Sequence, residues 1–242
     1  MFIIDNVSKE FKEKKGIFNI STSFNQGDIV GLVGDNGAGK STLLKCLFNA
    51  YKVDSGEFWY KNEKLNKNSL KKFSFFPDQS IYPKNISIKD FCIYSAKLSG
   101  IKTKEAKSRA NYLLEVLNLI EYKNKTFKSL SAGMQKRALL AICLINEPEI
   151  IVLDEPTANL DVSTRVDFIN LLKLLAQNGK TILITSHIID ELQKFINKLV
   201  IIDEGHIVFD RYLHPDDNIE NIYFNITNRK KRKSIDIQNL SF

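Results

Sequence analysis

The sequence predicts an α/β fold built on a mostly parallel sheet, and three observations lead there. In the second half, short apolar runs alternate with helical stretches: Ile150–Asp154, Val162–Gln177, Thr181–Thr185, Ile188–Phe195 and Leu199–Asp203. Runs of this length that are apolar throughout, rather than alternating, suit strands buried on both faces of a parallel sheet. Earlier, the equally apolar Ile29–Val33 runs into a glycine-rich loop and then a helical stretch from about Lys40 to Ala50. Finally, 242 residues with 43% hydrophobic and 26% charged side chains suit one large domain or two lobes sharing a core.

The remaining elements follow in order. Phe2–Val7 and Phe18–Phe24 read as β-rich runs, with Gln26-Gly27-Asp28 as a turn after them. Glu57–Lys61 and Lys72–Phe76 read as further strands. From Ser87 to about Asn118 the pattern is helical, broken at Ser99-Gly100. Ala110, Leu113, Leu114 and Leu117 share one face at helical spacing. Another helix is expected from about Ala132 to Asn146.

Charge and composition exclude several classes. The net charge is +7, but Arg229-Lys230-Lys231-Arg232-Lys233 supplies five positives, and without that run 30 basic side chains face 28 acidic ones. The basicity belongs to a tail rather than to a face of the fold, so no specific nucleic-acid partner is expected. Cys46, Cys92 and Cys143 are few, odd in number and widely spaced, which fits a reducing compartment and neither a disulfide framework nor a zinc site. The N-terminal Met1-Phe2-Ile3-Ile4-Asp5 meets a carboxylate at once, unlike a signal peptide. The longest apolar run, Ala138–Ile145, falls far short of the roughly 20 residues that cross a bilayer.

Gly34-Asp35-Asn36-Gly37-Ala38-Gly39-Lys40-Ser41-Thr42 fits G-x-x-x-x-G-K-[ST] without mismatch, between a buried strand and a helix. Glycines let the backbone curl so that several N–H groups converge on phosphate oxygens, and the helix N-terminus adds partial positive charge. Lys40 is placed for the β- and γ-phosphates, Ser41 for Mg²⁺ and Thr42 for a further phosphate oxygen.

Downstream, Ile150–Asp154 is an apolar strand ending in two carboxylates, Asp154 and Glu155. Asp154 can hold Mg²⁺, and Glu155 can orient or deprotonate an attacking water. His187 follows the next strand, and carboxyl ends of neighbouring parallel strands face one crevice. His206 and His214 read as structural or surface residues. Ser131 in Leu130-Ser131-Ala132-Gly133-Met134 is a good N-cap, and the small Ala132 and Gly133 leave the first-turn N–H groups open. This is a second anion site in a chain with one nucleotide motif, which suggests that it serves a neighbouring molecule.

In this order, phosphate loop, serine-glycine signature, acidic strand and histidine, the chain resembles the nucleotide-binding subunit of an ABC transporter from Phe2 to about Thr227. The resemblance implies a P-loop NTPase with a mostly parallel core sheet, an N-terminal antiparallel β subdomain and a helical subdomain inserted at about 84–146. A short basic tail, 228–242, follows. It makes Gly34–Thr42 the Walker A motif, Ile150–Asp154 with Glu155 Walker B, Ala158-Asn159-Leu160-Asp161 the D-loop and His187 the switch histidine. Phe11 matches the aromatic that stacks on adenine, with a core role as the alternative. Two domains would pack head to tail, as homodimer or heterodimer, so that Ser131, Gly133 and Asp161 of one reach the ATP held by the other. The signature departs from the usual Leu-Ser-Gly-Gly-Gln at Ala132 and Met134, and a Met there resembles single-domain exporters of drugs, lantibiotics and peptides. In Phe76-Pro77-Asp78-Gln79-Ser80, Gln79 is the candidate for the Mg²⁺ and coupling residue and Asp78 the runner-up.

The expected function is ATP hydrolysis that drives an exporter for amphipathic peptides, antimicrobials or drugs. Its transmembrane permease is a separate chain, and the ATPase sits peripherally on the cytoplasmic face of the cell membrane. An importer ATPase and a soluble ATPase of the iron–sulfur assembly type are the alternatives. A GTPase or small-molecule kinase would need no second anion site, and no guanine-reading Asn-Lys-x-Asp occurs. The run Arg229–Lys233 suits an anionic membrane surface or an acidic patch on the permease, against the plain alternative of a solvated end.

Overall fold

The computed structural model describes residues 1–12, 15–77, 85–186 and 189–227. Among these, ten strands form two sheets. The first is antiparallel, in the order β2-β1-β4-β5, from β1 (Phe2–Glu10), β2 (Gly16–Phe24), β4 (Ser55–Tyr60) and the two-residue β5 (Glu63–Lys64). The second has the order β10-β9-β3-β8-β7-β6. It comprises β3 (Ile29–Val33), β6 (Phe73–Phe76), β7 (Ile150–Asp154), β8 (Thr181–Ser186), β9 (Lys198–Asp203) and β10 (His206–Tyr212). Its neighbours are parallel except for the edge pair β9–β10.

Both faces of this sheet are covered, as the unbroken apolar runs require. Side chains alternate across a strand, so each run serves two cores. Val30, Leu32, Val152, Leu183, Val200 and Ile202 meet the antiparallel sheet and α1 (Lys40–Leu47), through Phe2, Ile4, Leu43 and Leu47. Ile29, Val33, Ile151, Leu153, Ile184 and Ile201 face the helices on the other side. These are α2 (Ile88–Leu98), α3 (Thr103–Val116), α4 (Ala132–Leu144), α5 (Val162–Gln177) and α7 (Ile219–Ile226), with the short α6 (Ile189–Leu192) beside them. The three helices α2, α3 and α4 fill the stretch between β6 and β7. The α2–α3 break falls at Gly100, where φ is +89°.

Three differences from the sequence reading have local causes. α6 is one turn, shorter than the expected Ile188–Phe195. β10 has no counterpart in the sequence reading: it pairs antiparallel with β9 at the sheet edge, with a register irregularity between Ile207 and Phe209, and Val208 is exposed. Its hairpin turn, Glu204-Gly205, has positive φ at both residues, as two-residue turns favour. α7 begins at Asn218, whose side chain accepts from the Asn221 N–H at 2.8 Å, and it buries Ile219 and Tyr223. None of the helices among the described residues is long and apolar enough to cross a membrane.

Candidate functional site

The parallel strands end together. Val33 pairs with Ser186, Asp154 with Thr185, and Phe76 with Leu153, so the segments after β3, β6, β7 and β8 leave the sheet at one edge. Asp35, Asn36, Gly37, Gly39, Lys40, Ser41 and Thr42 line a cavity of about 310 Å³ there, together with Asp154 and Glu155. Phosphate loop and acidic strand, more than a hundred positions apart in sequence, thus share one space.

The loop is shaped by its backbone. Gly39 caps α1 with φ +114°, a region that side chains disfavour, and a Cβ there would fall 2.7 Å from Ile17 Cγ2. α1 has no side-chain cap on its first-turn N–H groups, and Gly39, Lys40, Ser41 and Thr42 of this helix start line the cavity. Lys40 is 8% exposed and donates through Nζ to the Gly34 and Asp35 carbonyls, the latter at 3.1 Å. Burial lowers its pKa, and the charges of Glu155 and Asp154 oppose that shift.

On the acidic side, the Thr185 hydroxyl donates to Asp154 Oδ1 at 2.6 Å and accepts from the Glu155 N–H at 3.2 Å. Glu155 itself has φ +47°, an uncommon conformation for a side-chain-bearing residue, which turns the chain sharply out of β7. Its carbonyl accepts from Lys136 Nζ at 3.3 Å, and that fully buried ammonium also sits 5.4 Å from the Phe76 ring centroid. A second cavity, about 250 Å³ and apolar, shares Ser41 and Asp154 and extends to Phe48, Phe75 and Pro77.

Neither Ser131, Gly133, Asp161 nor Phe11 lines the phosphate-loop cavity. Ser131 caps α4, its hydroxyl accepting from the Met134 N–H at 3.3 Å. Gly133 is pressed against α5: a Cβ there would meet Thr164 Cγ2 at 2.4 Å. Any side chain at this position would force Thr164 or the α4–α5 approach to shift, a packing role beyond the openness read from the sequence. Asp161 caps α5 through Thr164. The Phe11 ring is exposed, edge-on to Tyr51 at 5.2 Å. Gln79, Asp78, His187 and Arg229–Lys233 lie outside the described residues.

Several participants escaped the sequence reading. Thr185, a polar residue closing an apolar strand, is a signal that could have been read. Glu191 had no such signal: it pairs with Arg165 at 2.6 Å and accepts from the Thr157 hydroxyl at 2.7 Å, joining α6, α5 and the turn after Glu155. Lys136 and Tyr223 likewise declare themselves only in three dimensions.

The comparisons agree with this geometry. A family described as ABC transporter matches residues 17–158. A putative ABC transporter ATP-binding protein of Mycoplasma pneumoniae is 30% identical over 212 residues, 85% of this chain and 65% of that protein, so the match spans just under two thirds of that relative. A lantibiotic transport ATP-binding protein of Streptococcus pyogenes is 28% identical over 96% of this chain and its own whole length. A glutamine transport ATP-binding protein of Geobacillus stearothermophilus is 29% identical over 86% of this chain and 89% of that protein. Among solved structures, a dimeric ATP-binding cassette in a post-hydrolysis state with ADP and Pi superposes with TM-score 0.76 at 26% identity, covering 88% of this chain and 99% of that one. The chain belongs to the ABC transporter family, as an ATP-binding, ATP-hydrolysing domain.

Proposed function

We propose that this chain is the ATPase subunit of an exporter for amphipathic peptides, antimicrobials or drugs, working on a separate transmembrane permease. The observation that carries the ATPase chemistry is the single cavity lined by Lys40, Ser41, Asp154 and Glu155. The export assignment is supported by Met134 in the signature and by the end-to-end match to the lantibiotic transport protein. A second reading, a transporter of small solutes, rests on the glutamine transport relative.

In this proposal the α1 N-terminus and the loop amides hold the phosphates, with Lys40 on the β- and γ-phosphates. Ser41 and Asp154 are hard oxygen donors on one cavity, a set suited to Mg²⁺, which is commonly held by few protein ligands plus substrate phosphates. Gln79 would join them. When bound, Mg²⁺ neutralises charge on the β- and γ-oxygens. Glu155 orients the water and accepts its proton, His187 holds the γ-phosphate, and Phe11 stacks on adenine. Ser131, Gly133 and Asp161 act on the nucleotide of a second ATPase subunit. The five charges Arg229–Lys233 rest on an anionic membrane surface, where each is worth about 1 kcal/mol.

Glu155→Gln is expected to cut steady-state hydrolysis by about 10²–10⁴-fold, the usual worth of a positioned base, while ATP stays bound. Lys40→Ala is expected to lose ATP binding itself. Turnover and binding of labelled ATP decide it. Wild-type turnover in Glu155→Gln removes that residue from catalysis, and equal ATP binding by both variants contradicts the division of labour.

A further inference from the structure

The phosphate loop is held from the far end of the chain. Tyr223 lies in α7 and is 6% exposed. Its hydroxyl donates to the Asp35 carboxylate, 188 positions earlier. Asp35 is the second residue of the loop, and its carbonyl accepts from Lys40 Nζ at 3.1 Å. The other end of α7 is fastened as well. Gln193 accepts from the Ile219 N–H at 2.7 Å and donates to the Asp217 carbonyl at 2.7 Å. Gln193 directly follows α6, the first element after β8. One short C-terminal helix is therefore bonded both to the loop after β3 and to the segment after β8.

A carboxylate on a triphosphate-binding loop is an electrostatic liability. Left to rotate into the cavity it would repel a highly anionic ligand, at short range and in a partly dehydrated space. A phenol that donates to it fixes the side chain on the α7 side and takes up part of its charge. Burial and the Asp203 charge hold the Tyr223 phenol above its ordinary pKa, so it remains a donor at physiological pH.

We propose that Tyr223 is a positioning residue for ATP: its hydroxyl holds Asp35, and with it the carbonyl that steadies Lys40, in the conformation that receives the triphosphate. The inference rests on the reading of Gly34–Thr42 as the ATP site. By linkage, bound nucleotide stabilises the docking of α7 in return. The C-terminal helix is thereby part of the nucleotide site, although no residue of α7 lines the cavity.

The test uses the full chain, Mg²⁺ and a fluorescent ATP analogue, with steady-state kinetics alongside. Tyr223→Phe keeps the buried ring and removes only the hydroxyl. Kd and KM for the nucleotide are expected to rise about tenfold, equivalent to one hydrogen bond to a charged group, with kcat changed much less. In an Asp35→Ala background, Tyr223→Phe is expected to add nothing, because the pair acts as one unit. Lys40→Ala separates this inference from the one beneath it. If that variant binds nucleotide like the wild type, the ATP-site reading and this inference fall together. If Lys40→Ala loses binding while Tyr223→Phe binds normally, or shifts only the melting temperature, or adds fully to Asp35→Ala, the positioning role alone is overturned.

Discussion

Asp161 holds its carboxylate in place with three donors: the Thr164 N–H at 2.9 Å, the Thr164 hydroxyl at 2.7 Å and the Ser163 hydroxyl at 2.7 Å. These bonds, led by the backbone one, keep the carboxyl well below its ordinary value of 3.8. A depressed folded-state pKa means that the cap stabilises fully above the unfolded value and is lost as pH falls through the folded one. Asp161→Ala is therefore expected to melt earlier than the wild type near neutral pH, with the gap narrowing as pH drops below about 4. Asp161→Asn, still an N-cap acceptor, is expected to lose less and to lack that pH dependence. Thermal melts across this range check it, and a gap that stays constant with pH removes the ionised cap as its origin. At this scale the sequence was informative where chemistry is local. A Ser ahead of α4 and the Gly34–Thr42 loop are read from neighbours in the chain; Asp161, taken above only as a D-loop residue, stands ahead of a helix in the same way and its capping role could have been read. Lys136 could not, since an ammonium among exposed-looking neighbours gives no hint that it is buried against Phe76 and the Glu155 carbonyl.

Elements were legible when their apolar pattern matched one environment. β3, β7, β8 and β9 are apolar on both faces because both faces are covered, and their sequences say so. β10 sits at the sheet edge with a register irregularity and is largely exposed, whereas α7 carries a helical stripe, Ile219, Ile222, Tyr223 and Ile226, that could have been read. The α4–α5 crossing shows a third case, a motif residue with a packing role that the motif conceals. Gly133 permits the approach of Thr164. Gly133→Ala should gain helix propensity, about 1 kcal/mol, yet forcing a methyl against Thr164 Cγ2 costs about 1–3 kcal/mol. Net destabilisation is expected in chemical denaturation. Thr164→Ser removes the obstructing methyl while keeping the hydroxyl that bonds Asp161, so the double variant is expected to recover much of the loss. A Gly133→Ala protein as stable as the wild type, or a double variant no better than the single, would sink the packing explanation.

For the molecule as a whole, the phosphate loop and the proposed second anion site do not share a cavity. The Gly34–Thr42 loop shares its cavity with Asp154 and Glu155, whereas Ser131 at the start of α4 is not among the lining residues. The second helix N-terminus therefore needs another molecule if it is to meet a nucleotide, which is the arrangement proposed above. In that arrangement the triphosphate is the adhesive: two subunits close when each Ser131 helix end meets the phosphates held by the other, and release when the γ-phosphate leaves. The prediction is cleanest where hydrolysis is blocked. With ATP and Mg²⁺, Glu155→Gln is expected to run as a dimer on size exclusion, and Glu155→Gln/Ser131→Arg as a monomer of unchanged ATP affinity, because an Arg at the cap keeps its own loop intact but obstructs the junction. Mixing then asks which chain supplies what. Ser131→Arg alone and Lys40→Ala alone each spoil both sites of a symmetric dimer, whereas a mixed pair keeps one whole site, built from the Lys40 of the first variant and the Ser131 of the second. Hydrolysis in the mixture is expected to exceed that of either variant alone while staying below wild type. A double variant that dimerises as readily as Glu155→Gln would place Ser131 away from the junction and leave the nucleotide site complete within a single chain.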